Sequence, residues 1–185
     1  MTRKYDWVGS IPFFAVHVWA LVGAFFVHWT WGGILLCLGL YFLRMFGITA
    51  GYHRYFSHRT YRMGRIFQFV MAWLGSSAVQ KGVIFWSAHH RHHHKYSDLP
   101  GDVHSPVQDG FWYSHVGWIL DEANSETRSE LVKDLTGFPE LVWLNKWHLV
   151  PGISLAVLLT LLGGWPALYF GFVLSTVLLW HGTFT

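Results

Sequence analysis

Four apolar stretches set what this chain can fold into. They run from about Ile11 to His28, Ile34 to Tyr52, Leu149 to Leu162 and Ala167 to Phe184. A bilayer core ~30 Å thick is crossed by ~20 residues of helix, with ~17 as the lower limit. The first, second and fourth stretches reach that length, and the third does so once Trp143 to His148 extend it. Only 12% of the 185 residues are charged and 52% are hydrophobic, whereas a soluble domain carries ~25% charged residues. Much of the chain therefore has no water to face. The expected fold class is an all-α membrane protein: four transmembrane helices at about 11–29, 33–52, 147–163 and 166–184, with a cytoplasmic helical cap over 53–146.

The connections give the topology. Thr30 to Gly33 form a short uncharged turn, and Gly163, Gly164, Trp165 and Pro166 supply breaker residues for a second reversal. Twelve of the thirteen Lys and Arg lie before residue 7 or between residues 54 and 146, the exception being Arg44. By the positive-inside rule the N-terminal arm, the 53–146 segment and the C-terminus are cytoplasmic. The basic residues thus follow topology and do not point to nucleic acid. Ala24 to Trp29 offers no small-residue cleavage site, so the first stretch reads as a retained span. Ile66 to Trp86 carries Ser76, Ser77, Gln80 and Lys81, which reads as one amphipathic surface helix instead of a fifth crossing. Asp121 to Thr136 reads as a solvated loop or surface helix. Cys37 stands alone, so neither a disulfide framework nor a thiolate site can be built.

Histidine is the anomaly: nine of the thirteen fall between His53 and His115. His53 and His58 stand where the second span ends. Five residues apart, they would sit ~140° apart on a regular helix, so they converge only if the helix ends between them. In His89-His90-Arg91-His92-His93-His94-Lys95, residues i, i+3 and i+4 share one helical face. His90, His93 and His94 form such a set, and so do His89, His92 and His93; spacing leaves the register open. Neutral imidazoles gathered this way suit a first-row transition metal. No carboxylate lies inside either cluster, which argues against a Glu-x-x-His di-iron bundle and a His-Glu-x-x-His protease. His17, His28, His148 and His181 read as interfacial or core histidines.

Gly47 to Tyr61, with Gly-Tyr-His-Arg-Tyr-Phe-Ser-His, resembles the first histidine box of the membrane fatty acyl desaturases of the stearoyl-CoA desaturase type. His90 to Lys95 resembles their second box, His-Arg-x-His-His-Lys, and Phe111 to Leu120, with Ser-His-Val-Gly-Trp, the segment after it. The resemblance selects His53, His58, His90, His93 and His94 as ligands of a di-iron centre and leaves His92 at the variable position. Family members carry further histidines in an Asn-Ser-x-x-His motif and a later His-x-x-His-His box. The chain ends at Thr185, before these. The expectation is therefore one desaturase domain over 1–185, C-terminally incomplete and inactive on its own.

The resemblance implies two Fe ions, O2 as co-substrate, a fatty acyl substrate linked to CoA or lipid, and desaturation of the Δ9 type. It also implies an electron donor such as ferredoxin, rubredoxin or cytochrome b5. Metal-bound imidazoles commonly donate their other N–H to a carboxylate, so Asp98, Asp102 and His104 are candidates for the layer behind the ligands. Phe67, Met71, Trp73, Leu74 and Trp86 are candidate walls of an apolar substrate tunnel. CoA-binding basic positions of the family hold Ala88 and Asp121-Glu122 here, which keeps an acyl-lipid substrate open. The rival readings are a membrane di-iron hydroxylase or alkane monooxygenase, a non-catalytic truncated metal-binding membrane protein, and a b-type haem protein.

Overall fold

A lipid-facing backbone must pair its own N–H and C=O groups, so the apolar stretches are expected to be helical. The computed structural model describes residues 3–184, and its regular structure is helical apart from one isolated bridge between Tyr5 and Asp121. Helix α1 (Ile11–Gly23) has Pro12 in its first turn. It ends earlier than expected: from Phe25 and Phe26 the N–H groups reach back only three residues, to Val22 and Gly23. Helix α2 (Trp31–Ser57) starts where Thr30 Oγ1 accepts the Gly33 N–H at 3.1 Å.

The second apolar half folds as one helical segment, Val150–Thr183, interrupted at Gly164. Gly164 has φ 62° and ψ −154°, a backbone region essentially reserved for glycine. The chain reverses there. A Cβ on Gly171 would lie 3.0 Å from the Leu159 side chain, so 150–163 (called α6 below) and 165–183 (α7) are arms of a hairpin. The breaker residues do what their composition demands. Among the described residues, only Trp31–Ser57 and Val150–Thr183 are long and apolar enough to cross a membrane by length and composition. Helix α1 and arm α6 are each ~20 Å long at 1.5 Å per residue, shorter than the expected spans.

The 66–86 stretch is not one surface helix. It divides into α3 (Arg65–Ser76) and α4 (Val83–Tyr96). The intervening carbonyls are claimed from outside: Ser77 O accepts from Arg44 and Ala78 O from Trp180 Nε1 at 2.8 Å. The helical run is broken there by positive φ at Val79 (58°) and Lys81 (69°). Helix α5 (Pro139–Lys146) then closes the polar segment, and its Asn145 Oδ1 accepts the Phe85 N–H at 2.9 Å in the first turn of α4.

Arm α7 runs through the middle of the bundle. Tyr169 packs on Gly23 of α1, Phe170 on Gly33 of α2, and Gly171 on Leu159 of α6. Arg44 is 1% exposed inside this apolar bundle, where it donates to Leu40 O, Ser77 O, Thr176 Oγ1 and Ser175 Oγ. Four neutral oxygens thus replace water around its charge. The turn after α1 and the Gly164 reversal meet at one end, where Trp29 packs on Phe170 at 5.2 Å. At the other end the N-terminal arm pairs with the polar segment through Asp6 N–H to Leu120 O and Glu122 N–H to Lys4 O, both 2.9 Å. There also His181 of α7 meets His17 of α1 and His115, each at 3.0 Å. The outer faces are apolar: Phe25 is 87% exposed, Leu161 79% and Leu35 66%. A continuous apolar surface of that kind marks an interaction with lipid or another protein, not with water.

Candidate metal site

The site is made where the C-terminal end of α2 crosses α4. Helix α2 is regular to Phe46 and then widens into a π-helix from Gly47 to Ser57. In a π-helix the hydrogen bonds run from i to i+5, and the His58 N–H reaches His53 O at 3.1 Å. Residues five apart therefore stack on one face. The expectation that the helix must end between His53 and His58 is corrected here: it continues, with a longer period. Close packing accompanies the change. A Cβ on Gly47 would lie 2.8 Å from the Gly75 backbone N, and one on Gly75 would lie 2.3 Å from the Tyr52 ring. Tyr52 is fully buried, its hydroxyl 2.7 Å from Ser76 Oγ.

Helix α4 keeps the regular period, so His90 and His94 share a face. His58 Nε2 lies 3.2 Å from His53 Nε2 and 3.1 Å from His90 Nε2, and His94 Nε2 lies 3.0 Å from His90 Nε2. All four nitrogens fall within 4.8 Å of one another, a grouping able to hold a metal ion. Burial first, then the neighbouring imidazoles of His53, His94, His58 and His93, push the His90 pKa down to about 2. It is neutral at physiological pH, with a lone pair available, as metal ligation requires. Neutral rings whose nitrogens face one another cannot all be satisfied by their own N–H groups. At a metal–nitrogen distance of ~2.1 Å, two ligands of one ion stand roughly 3 Å apart. The donor set fits a nitrogen-liganded transition metal.

His93 stands beside this group, not in it. Its Nδ1 lies 2.7 Å from Asp102 Oδ1, so Nε2 is the nitrogen left to ligate. Burial opposes the charge on Asp102, but bonds from His93 and from the Asp98 and His104 N–H groups outweigh it and hold its carboxyl below the usual range. His104 stacks on His93 with centroids 4.2 Å apart, and burial pushes its pKa down to about 4. Asp98 is elsewhere: its Oδ1 accepts from Ser105 Oγ at 2.7 Å, and no bond joins it to a histidine of the boxes among the described contacts. In the alternative register His89 is 3% exposed, its Nδ1 on Phe85 O, and His92 Nε2 is on Gly101 O. Those two point away from the cluster.

Of the candidate tunnel residues, Trp86 stacks on His90 at 4.8 Å, Met71 lies against Gly51 and Leu74 against Gly47. Trp73 is partly buried beside the core. Phe67 is 69% exposed on α3. The 121–136 stretch is less solvated than its composition implies. Asp121 is 6% exposed and accepts from the Tyr113 hydroxyl at 2.8 Å, and Asp134 pairs with Arg91 of α4 at 2.7 Å. The part played by Asp134 had no local signal, since its partner lies forty-three residues away.

Residues 29–185 match the fatty acid desaturase family. An sn-2 palmitoyl-lipid 9-desaturase of Nostoc sp. (strain 36) is 36% identical over 96% of this chain and 63% of its own length. An sn-1 stearoyl-lipid 9-desaturase of Anabaena variabilis is 32% identical over 97% of this chain and 66% of its own length. An icosanoyl-CoA 5-desaturase of Limnanthes douglasii is 30% identical, with 51% of its length covered. The chain thus spans less than two thirds of these curated relatives. Family match, near-complete coverage of this chain and a converged histidine cluster agree: the chain belongs to the fatty acid desaturase family.

Proposed function

We propose that this chain carries part of the iron site of an O2-dependent acyl-lipid desaturase of the Δ9 type. The observation that supports this most is the meeting of His53, His58, His90 and His94 nitrogens within 4.8 Å from two separate helices. His93, oriented by Asp102, is the fifth ligand in this reading, and two iron ions are the cofactor. Iron held by imidazoles supplies the oxidising power that no side chain has for removing hydrogen from an unactivated methylene. In the net reaction O2 accepts two electrons from the two C–H bonds and two from a donor of the ferredoxin, rubredoxin or cytochrome b5 class. A cis double bond and two waters result.

The protein's own part is to hold and to exclude. The π-helical end of α2 presents His53 and His58 together, and Asp102 fixes the ring of His93. Trp86 puts apolar surface against the His90 ring, and Met71 and Leu74 lie along α2 at Gly51 and Gly47, so an acyl chain lying there displaces water. Asp121 is tied to Tyr113 and Glu122 to Lys4 at 2.7 Å. Acidic groups at positions where CoA-binding members carry basic ones favour an acyl chain on a lipid over one on CoA.

In this reading the chain is one multi-pass membrane domain. Both termini and the 53–146 segment face the cytoplasm, and α1, α2, α6 and α7 lie in the bilayer. Expressing the coding region that contains this chain in a host lacking Δ9 desaturase, with fatty acids analysed by gas chromatography, tests it. New cis-9 monoenes on membrane lipids are expected. Hydroxylated chains would move the protein to the membrane hydroxylases. An unaltered profile despite iron in the purified protein would count against any oxidative role.

A further inference from the structure

The two histidine sites lie on different helices, and something must fix one relative to the other. Arg91 sits between two of the proposed ligands in sequence, yet it points away from the cluster. Its guanidinium reaches three places at once. Nε donates to Ser57 O at 3.1 Å and Nη2 to Phe56 O at 2.7 Å, the two carbonyls just before His58. Nη1 donates to Leu131 O at 2.9 Å. Nη1 and Nη2 then grip the Asp134 carboxylate as a pair, at 2.7 and 3.0 Å. All five N–H donors of the group are thereby used. Asp134 is held from a second side by Arg59, whose Nη2 lies 2.6 Å away, and Arg59 directly follows His58.

We infer that Arg91 and Asp134 form a clamp that sets the spacing between the two histidine boxes, acting as positioning residues for the metal. The inference rests on the metal reading above. The chemistry explains why this must be an arginine. A lysine has one nitrogen and cannot hold a carboxylate at two points while bonding two carbonyls in another direction. The π-helix ends at Ser57 and the chain turns at Arg59, which has φ 53°. The last carbonyls of that helix have no partner within it, and Arg91 provides one from α4. Box one is therefore joined to box two by its own backbone and not only by a metal. Asp134 turns a two-way contact into a rigid one, because it fixes the plane of the guanidinium.

The test is cobalt(II) binding by the purified chain in detergent, followed by its visible d–d bands, with helicity measured in parallel by circular dichroism. Arg91→Lys and Asp134→Asn are each expected to weaken cobalt binding ~10- to 100-fold, the range for loss of a group that orients metal ligands, and to change the band shape while helicity is kept. Arg65→Gln is the control. It breaks an equally short bidentate pair, to Glu140 at 2.7 and 2.8 Å, that touches neither box, and it should leave cobalt affinity within about twofold.

Unchanged affinity in both clamp variants would overturn the proposal, and so would loss of helicity in both, since the contact would then only serve folding. A second readout does not need metal. His58 and His90 replaced together by Cys should cross-link rapidly with a short bis-methanethiosulfonate reagent, and Asp134→Asn should slow that several-fold. If the unmodified chain takes no cobalt, the metal reading fails, and the cross-linking result still decides the clamp.

Discussion

The two histidine-bearing helices perform the same task with different periods. In α4 a regular helix brings His90 and His94 together, four residues apart. In α2 a π-helix brings His53 and His58 together, five residues apart. The surroundings differ as well. The α2 site is backed by tight packing of Gly47, Tyr52 and Gly75; the α4 site is backed by polar partners, Asp102 on His93 and Asn145 at the helix start. A metal site thus needs only convergence of nitrogens. Each helical period is accompanied by its own kind of packing behind it.

The comparison can be broken most severely at the proposed ligands. His58→Ala and His94→Ala should each lower cobalt or iron affinity by more than ~100-fold in a metal titration, beyond what loss of an orienting partner costs. Equal losses would show that both periods serve one site; loss only with His94→Ala would detach the π-helical half. Next in size is Gly47→Ala, where the new methyl meets the α3 backbone at 2.8 Å. Overpacking of this kind costs about 2 kcal/mol, read as a lowered thermal midpoint. Gly39→Ala in the regular part of α2, with open space around it, should show no such loss.

A smaller effect is expected behind the regular helix. Asp102→Asn keeps the size of the side chain but removes the charge that fixes His93, and should weaken metal binding ~10-fold with little change in stability. Smallest is Tyr52→Phe, which loses the bond to Ser76 and should cost about 1 kcal/mol in thermal unfolding. A loss much larger than that would mean that the hydroxyl, and not the ring, holds the wide turn.

Much of this was legible because the signals are local. Spacing puts histidines of α4 on one face, the resemblance to the second histidine box selects His90 and His94 from the two registers, and the Gly163 to Pro166 reversal follows from residues that cannot continue a helix. The π-helix was not legible. Nothing in Gly47 to Ser57 announces a longer period, and the close approach of α3 that accompanies it is a long-range contact. The same holds for the break between α3 and α4, where Val79 and Lys81 take positive φ and Arg44 and Trp180 bind the carbonyls of residues 77 and 78. The early end of α1 was hidden by the apolar Phe25 and Phe26, which extend the hydrophobic pattern past the end of the helix. Hydropathy reports where a chain avoids water, and it does not report where the backbone stops being helical.

The central claim is that histidines from a π-helix and an α-helix bind the same metal. X-ray absorption at the iron edge of the iron-loaded chain, compared with its His58→Ala and His90→Ala variants, addresses it directly. The account predicts a nitrogen shell at ~2.1 Å with imidazole scattering beyond it, reduced to a similar extent by either substitution. A spectrum that changes with His90→Ala but is untouched by His58→Ala would contradict it.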